Sequence, residues 1–398
     1  MFEASLLFIL VLHTFRTHYI TNQFLIAFIA FMLIVFGLMA ILKTNSKKIY
    51  FEKLQIISLG LIVVVIFGYV IGLNFVNRIK GEEQIIHDGL LQTEYASVKL
   101  LEGENPYSIS YREVLKDERY YYGGEEHPSV SHYIYSPLMV VLNVPFAFLT
   151  GSLGVVDLRF SLLFFFLLAG FVGSILVKDK ILFLVLFFFN PLFVPMLLFG
   201  SNDIILIFFM FLTAFSIQKR KISTATFMLA LAFGIKLLVL PLLPLYFLWV
   251  YLWGGKRSFF ANQILIFLMT SFLIYMPFIL WNFKDLIDDI VVYSFAVSST
   301  YRVEGFVGIP QLLLKLKLIS QYPNFPNAVF QMPISLIFLF FAYQFIKKSY
   351  QLNVLFFLYA VFFLLFFSFS RLVQPNYLGF ISQIMLFSGL VNTRRFRR

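Results

Sequence analysis

Apolar runs long enough to cross a bilayer recur along almost the whole chain, and they decide what it can fold into. A spanning helix needs roughly 17–25 mostly apolar residues, because lipid offers no hydrogen-bond partner to an open backbone group. Such runs fall at 4–20, 22–42, 55–76, 155–177, 181–198, 202–218, 222–237, 239–254, 258–281, 328–346, 352–369 and 375–392. Composition agrees: 60% of residues are hydrophobic, 54 are Phe and only 13% are charged, whereas soluble chains carry about a quarter charged residues. The expectation is an all-α polytopic membrane protein with about 12 transmembrane helices, forming a single integral membrane domain over 1–398.

A net charge of +11 would suggest nucleic acid as the partner of a soluble protein. Its distribution here gives another answer. The turns near 43–53, 178–180, 219–221, 256–257 and 347–348, with the tail 394–398, are basic and contain only Glu52 and Asp179 as acids. Twelve crossings with both ends inside put all of these turns on the cytoplasmic face, as the positive-inside rule requires. The expected partner is membrane lipid, with anionic headgroups favoured, and no nucleic acid. The short run 137–150, with Pro145 inside it, would flip every later basic turn if it crossed, so it is expected to be re-entrant or interfacial. The first run has no basic stretch before it and no small-residue cleavage site, so it is expected to remain as a span. The absence of Cys excludes disulfides, thiolate catalysis and Cys-ligated metals.

The opposite, outer face receives the large polar loop 77–135, a second polar loop 282–327, and a short turn at 371–376. Within the first, Gly89 to Glu102 places Leu91, Tyr95, Val98 and Leu101 at helical spacing, with Glu94, Lys99 and Glu102 off that stripe. That pattern predicts an interfacial helix lying on the bilayer. Tyr120, Tyr121, Tyr122, Tyr133 and Tyr135 suit an interfacial aromatic belt or a sugar-stacking surface. Phe306 to Leu318 is expected to form a second surface helix.

Ionisable residues at the membrane edge are expensive and are functional candidates by default. Several fall at one depth: Asp88, Asn202 with Asp203, Lys236, Arg302 with Glu304, and Arg371. Each has a structural alternative. Asp88 could cap the helix that follows it, and Asn202 or Asp203 could cap the next span. Lys236 could snorkel, Arg371 could anchor to lipid, and Arg302 with Glu304 could be a local ion pair. Asp285, Asp288 and Asp289 read as solvated loop charge. The five histidines show no metal-site spacing, so no metal cluster is expected and no cofactor is required, a divalent cation being left open. Gly-rich phosphate loops and a cytosolic Asp-x-Asp sugar-nucleotide site are absent from the sequence. An enzyme of this shape needs a donor that is itself in the membrane.

Taken in order, these residues resemble the GT-C superfamily of polyprenyl-phosphate-sugar-dependent glycosyltransferases, and most closely its mannosyltransferase branch. The resemblance rests on His87-Asp88 opening the first outer loop, Gly103-Glu104-Asn105-Pro106-Tyr107 following it, and Tyr135-Ser136-Pro137-Leu138 ending it. Gly200-Ser201-Asn202-Asp203, Lys236 with Pro241 and Pro244, and Arg371 with Asn376-Tyr377 extend it over most of the chain from about 55 onward. It implies a GT-C-like fold with outer-face interfacial helices, in an integral plasma (inner) membrane protein whose site faces the extracytoplasmic side. It also implies a polyprenyl-phosphate-linked sugar donor, with mannose the default, and a glycan or glycolipid acceptor. A lipid phosphate leaves as a stable anion, so the chemistry asks for one general base and for cations where charge develops. Asp88 is the expected base, and Lys236, Arg302 and Arg371 are the expected donor-phosphate ligands. His87, Asn202, Asp203, Glu304 and Tyr377 are expected to bind sugar or acceptor. Two features depart from the family: two spans precede its usual first helix, and Asp88 stands alone where many relatives have an acidic pair. A lipid or sugar transporter, a polysaccharide polymerase or ligase, and a non-catalytic scaffold are the rival readings.

Overall fold

The computed structural model describes residues 2–18, 22–42, 48–82, 84–116, 121–122, 125–294, 304–305, 308–320, 327–370 and 372–393. The fold is all-helical. In chain order the helices are α1 (Phe2–His18), α2 (Gln23–Ile41), α3 (Lys48–Ile79), α4 (Asp88–Leu101), α5 (Pro137–Gly151), α6 (Arg159–Leu176), α7 (Lys180–Phe188) and α8 (Val194–Phe199). They continue with α9 (Asp203–Gln218), α10 (Ile222–Phe233), α11 (Leu242–Gly254), α12 (Arg257–Ile287), α13 (Ile309–Lys315), α14 (Asn327–Lys348), α15 (Leu352–Ser368) and α16 (Pro375–Leu390). Two-residue extended pairs link Tyr121–Tyr122 to Glu125–Glu126 and, in parallel, Glu304–Gly305 to Leu372–Val373.

Among the described residues five helices, α2, α3, α6 and α14 among them, are long and apolar enough to cross a membrane. The fifth carries α12 on through Asp288–Tyr293, a π-helical turn after a kink at Asn282. Helices of 10–17 residues make up most of the remaining runs. They reach only about 15–26 Å at 1.5 Å per residue, short of a hydrocarbon core of about 30 Å. Two of the twelve expected spans are interrupted by identifiable chemistry. Run 181–198 breaks at Asn190-Pro191, where Asn190 Oδ1 accepts the N–H groups of Leu192 and Phe193 (3.0 and 3.3 Å) and α8 starts afresh. Run 222–237 stops at Phe233, and Lys236 is extended (φ −158°, ψ 136°) before a 3-10 turn at Leu237–Val239.

Packing defines two ends of the bundle. At one, Asn392 N–H donates to Leu176 O (2.9 Å) and Gln218 Nε2 to the same oxygen (3.1 Å), gathering the C-terminal ends of α6, α9 and α16. At the other, His87 N–H donates to Phe199 O and Leu138 N–H to Gly234 O (both 2.9 Å). Helix α5 starts at this second end and also finishes there, since Asp157 N–H donates to Thr150 Oγ1 (3.1 Å) just ahead of α6. Between the ends, Phe rings supply the core; Phe166, fully buried, meets Phe188 edge-on at 4.9 Å. Other large apolar side chains face outward, including Phe24, Phe31, Leu336 and Phe340, an exposed apolar surface that calls for lipid.

Helix α4 buries its polar face against the protein and leaves its apolar stripe partly exposed. Gln92, Thr93, Glu94 and Ser97 are buried, while Leu91, Tyr95 and Val98 are half-buried and Leu101 is exposed. The polar face goes inward because every group on it finds a partner. Glu94 pairs bidentately with Arg78 (2.9 and 2.9 Å) and accepts Leu158 N–H (2.9 Å). Asp157 lies 3.4 Å from Arg78 and pairs with Arg159, which also reaches Gln84 Oε1 at 3.1 Å. Gln92 Nε2 donates to the carbonyls of Ser129 (2.7 Å) and His132 (2.9 Å). This network ties α3, α4 and α6 together. Glu94→Gln removes one charge but leaves Arg78 beside Asp157, so a loss of about 1.5–3 kcal/mol, the worth of charged hydrogen bonds, is expected. Thermal unfolding in detergent checks it.

Three further expectations are corrected. Tyr133 and Tyr135 are buried with Tyr107 and Tyr111 in one aromatic cluster, so they form the loop's interior and not a membrane belt. The second surface helix is shorter, starting at Ile309 after Gly308. Asp289 is buried, accepting Tyr133 N–H at 2.8 Å, and is not solvated loop charge.

Candidate functional site

The break between α10 and α11 sets the site. With no helix around it, Lys236 extends and turns its side chain toward the start of α9. Its Nζ donates to Asp203 Oδ1 (2.5 Å) and Asn202 Oδ1 (3.1 Å). Asp203 is fully buried, and its other oxygen accepts Asn376 Nδ2 (2.7 Å) and Ser201 Oγ (2.9 Å). The buried pair therefore has the extra hydrogen bonds that a desolvated ion pair needs. Snorkelling does not describe Lys236, and capping does not describe Asn202, whose side chain makes no cap bond.

Tyr135 connects this cluster to Asp88. Its ring lies under Lys236 Nζ, 5.1 Å from the centroid. Its hydroxyl sits against Gly89, where an added Cβ would fall 1.8 Å from the oxygen. Glycine at this position is what lets the tyrosine reach the start of α4. Burial, with the Asp88 and Asp203 carboxylates nearby, holds the Tyr135 hydroxyl well above the usual phenol range, so it is a donor and not a base.

His87 is the N-cap of α4, its Nδ1 accepting Gly89 N–H at 3.0 Å. Asp88 is the first helical residue, not the cap. Its carboxylate is 42% exposed and lies 3.0 Å from His87 Nδ1, with Oδ1 also accepting Gly89 N–H (2.7 Å). Leu90 packs on Gly200, whose φ of +112° turns the chain from α8 toward Asn202; a side chain there would be both strained and crowded.

A cavity of about 100 Å³ opens beside Lys236 and Tyr135, lined also by Tyr377, Ser370, Gln331 and apolar residues including Leu237, Phe366 and Phe367. Polar capacity remains in the cluster. Asn376 Oδ1 is buried and has no hydrogen-bond partner among the described residues, while the Asn202 amide lies against the Tyr135 hydroxyl. Buried polar groups are ordinarily satisfied, so the unused Asn376 acceptor fits a polar ligand.

The fold thus brings together His87, Asp88, Asn202, Asp203, Lys236 and, across the cavity, Tyr377. Arg302 and Arg371 lie outside the described residues, as does the side chain of Glu304. The backbone pairing of Glu304–Gly305 with Leu372–Val373 does run the two chain segments side by side. The expectation underweighted Tyr135 and Asn376, which the quoted motifs contain but give no role. In comparisons with protein-family models, curated proteins and solved structures, nothing matches this chain.

Proposed function

We propose that the chain is an integral membrane glycosyltransferase of GT-C-like architecture, with about twelve crossings once the short helices are counted. It would move a hexose, with mannose the default, from a polyprenyl-phosphate donor to a hydroxyl of a glycan or glycolipid. The site would face the extracytoplasmic side of a plasma membrane. The single observation that carries this reading is the Lys236 cluster: a buried, pre-oriented ammonium beside a mostly apolar cavity, next to a half-exposed carboxylate at the start of α4.

Lys236 has three N–H donors, of which Asp203 and Asn202 take two. The third is free for a donor-phosphate oxygen, with Arg302 and Arg371 as further ligands. Asp203 has protein donors on both oxygens, so its part is to hold Lys236 rather than sugar. Asp88 takes the proton of the acceptor hydroxyl as that oxygen attacks the anomeric carbon. The anomeric C–O bond breaks, and its electron pair leaves on the polyprenyl phosphate, where the cations meet the charge. His87 and the Asn202 amide orient sugar or acceptor. One displacement with one base inverts the anomeric carbon, unlike two-carboxylate glycoside hydrolysis.

The test is transfer from a panel of polyprenyl-phosphate monosaccharides by protein in lipid, with product anomers assigned by NMR. Inverted product is expected. Retention would discard the mechanism, and failure to bind any such donor would discard the reading. A transporter is the second reading, favoured by the interrupted helices at Asn190-Pro191 and Lys236. The Lys236 break, however, lies with α4 and α5 at one end of the bundle.

A further inference from the structure

Away from the Lys236 cluster, the loop after the 3-10 turn Pro128–Val130 meets the π-helical turn Asp288–Tyr293. His132, Asp288 and Asp289 each offer a ligand atom there, all within 4.8 Å of one another. We propose that these three residues bind one divalent transition cation, of the Mn²⁺ or Zn²⁺ class, which clamps the Tyr133–Tyr135 segment of the outer loop to the end of α12. This inference does not depend on the glycosyltransferase reading.

The orientation of His132 is the first argument. Its Nδ1 is 2.6 Å from Pro128 O, a carbonyl that can only accept, so Nδ1 carries a proton. In the neutral ring Nε2 then presents its lone pair, and it faces Asp288 Oδ2 at 3.4 Å. Two acceptors facing each other require a cation between them or a proton on the ring. A backbone carbonyl on the far nitrogen is the usual device that fixes a metal-binding histidine. The ring is also held flat against Tyr293, with centroids 4.6 Å apart, and its backbone oxygen is pinned by Gln92 from α4.

Asp289 is the second argument. It is 3% exposed, and one of its oxygens accepts Tyr133 N–H at 2.8 Å. A carboxylate this buried needs either compensating positive charge or a proton. The π-turn, a geometry frequent at functional sites, places the half-exposed Asp288 beside it. With the ring neutral and both acids ionised, as ligation requires, the three groups carry −2, which matches a divalent ion. Mixed nitrogen and oxygen ligands suit Mn²⁺ or Zn²⁺ better than Mg²⁺ or Ca²⁺, which prefer all-oxygen shells. Spacing along the chain hides the site, because its ligands come from the two separate outer loops.

The test uses full-length protein in nanodiscs of zwitterionic lipid, stripped with chelator and kept in excess Mg²⁺. Mn²⁺ is titrated and read by EPR, and Zn²⁺ is added in a thermal-shift series. One Mn²⁺ per chain and a raised melting temperature with either ion are expected. Affinity should fall at least about tenfold in His132→Ala and in Asp288→Asn. Asp288 is half-exposed, so Asp288→Asn keeps the test valid if His132→Ala fails to fold. No bound metal in the wild type, or equal binding by wild type and Asp288→Asn, would overturn the proposal and leave His132–Asp288 as a plain ion pair.

Discussion

Asp88→Asn is expected to lower sugar transfer by about 10²–10⁴-fold, the usual worth of a general base, with donor binding and melting temperature close to wild type. The replacement keeps the shape of the side chain and takes away only its capacity to receive a proton. Stability should hold because the cap of α4 belongs to His87 and because the Asp88 carboxylate is 42% exposed, not buried in a charge network. Single-turnover transfer, donor binding and thermal unfolding measured on one preparation separate the cases. Full transfer by the variant would remove Asp88 as base. Equal losses of transfer and donor binding would make it a ligand of the donor, since only an interaction confined to the transition state lowers the chemical step alone.

Much of the site was legible because charge inside apolar sequence is conspicuous. Lys236 stands in an almost uninterrupted run of Ile, Leu and Val, and Asn202-Asp203 opens another; expensive residues in such places need partners, and they found each other. Architecture was less legible. Hydropathy registers run 181–198 as one span because it averages over Asn190-Pro191, whereas the backbone breaks there. The stripe of α4 was legible from periodicity, but what its polar face meets was not: Glu94 goes inward because Arg78 pairs with it. Arg78, just past run 55–76, and Asp157 with Arg159, at the start of run 155–177, were the available signal for that network. Tyr135 could not be placed from sequence, since its importance lies in reaching Gly89 and Lys236 at once.

Asp203→Asn should cost about 3–5 kcal/mol, as expected when one partner of a buried pair is removed and the other is left uncompensated. Lys236 is buried and would retain only neutral acceptors for its charge. Lys236→Met should cost less, because Asp203 keeps the donors Asn376 and Ser201. In the double variant no charge is buried, and replacing a buried pair by neutral groups of similar volume is often close to neutral. Most of the stability lost in Asp203→Asn is therefore expected to return, a coupling of about 2 kcal/mol or more between residues in direct contact. Donor binding should not return, because the ammonium proposed to meet the phosphate is gone. Unfolding midpoints of the four proteins give the coupling, and binding of a polyprenyl-phosphate sugar gives the function. Additive losses would mean that Asp203 does not hold Lys236. A double variant that binds donor like wild type would mean that Lys236 is a structural charge, and the phosphate would then fall to Arg302 and Arg371. Stability that recovers without donor binding is the result that separates holding the fold from holding the donor, and a buried lysine kept at the risk of 3–5 kcal/mol is most simply explained by the second.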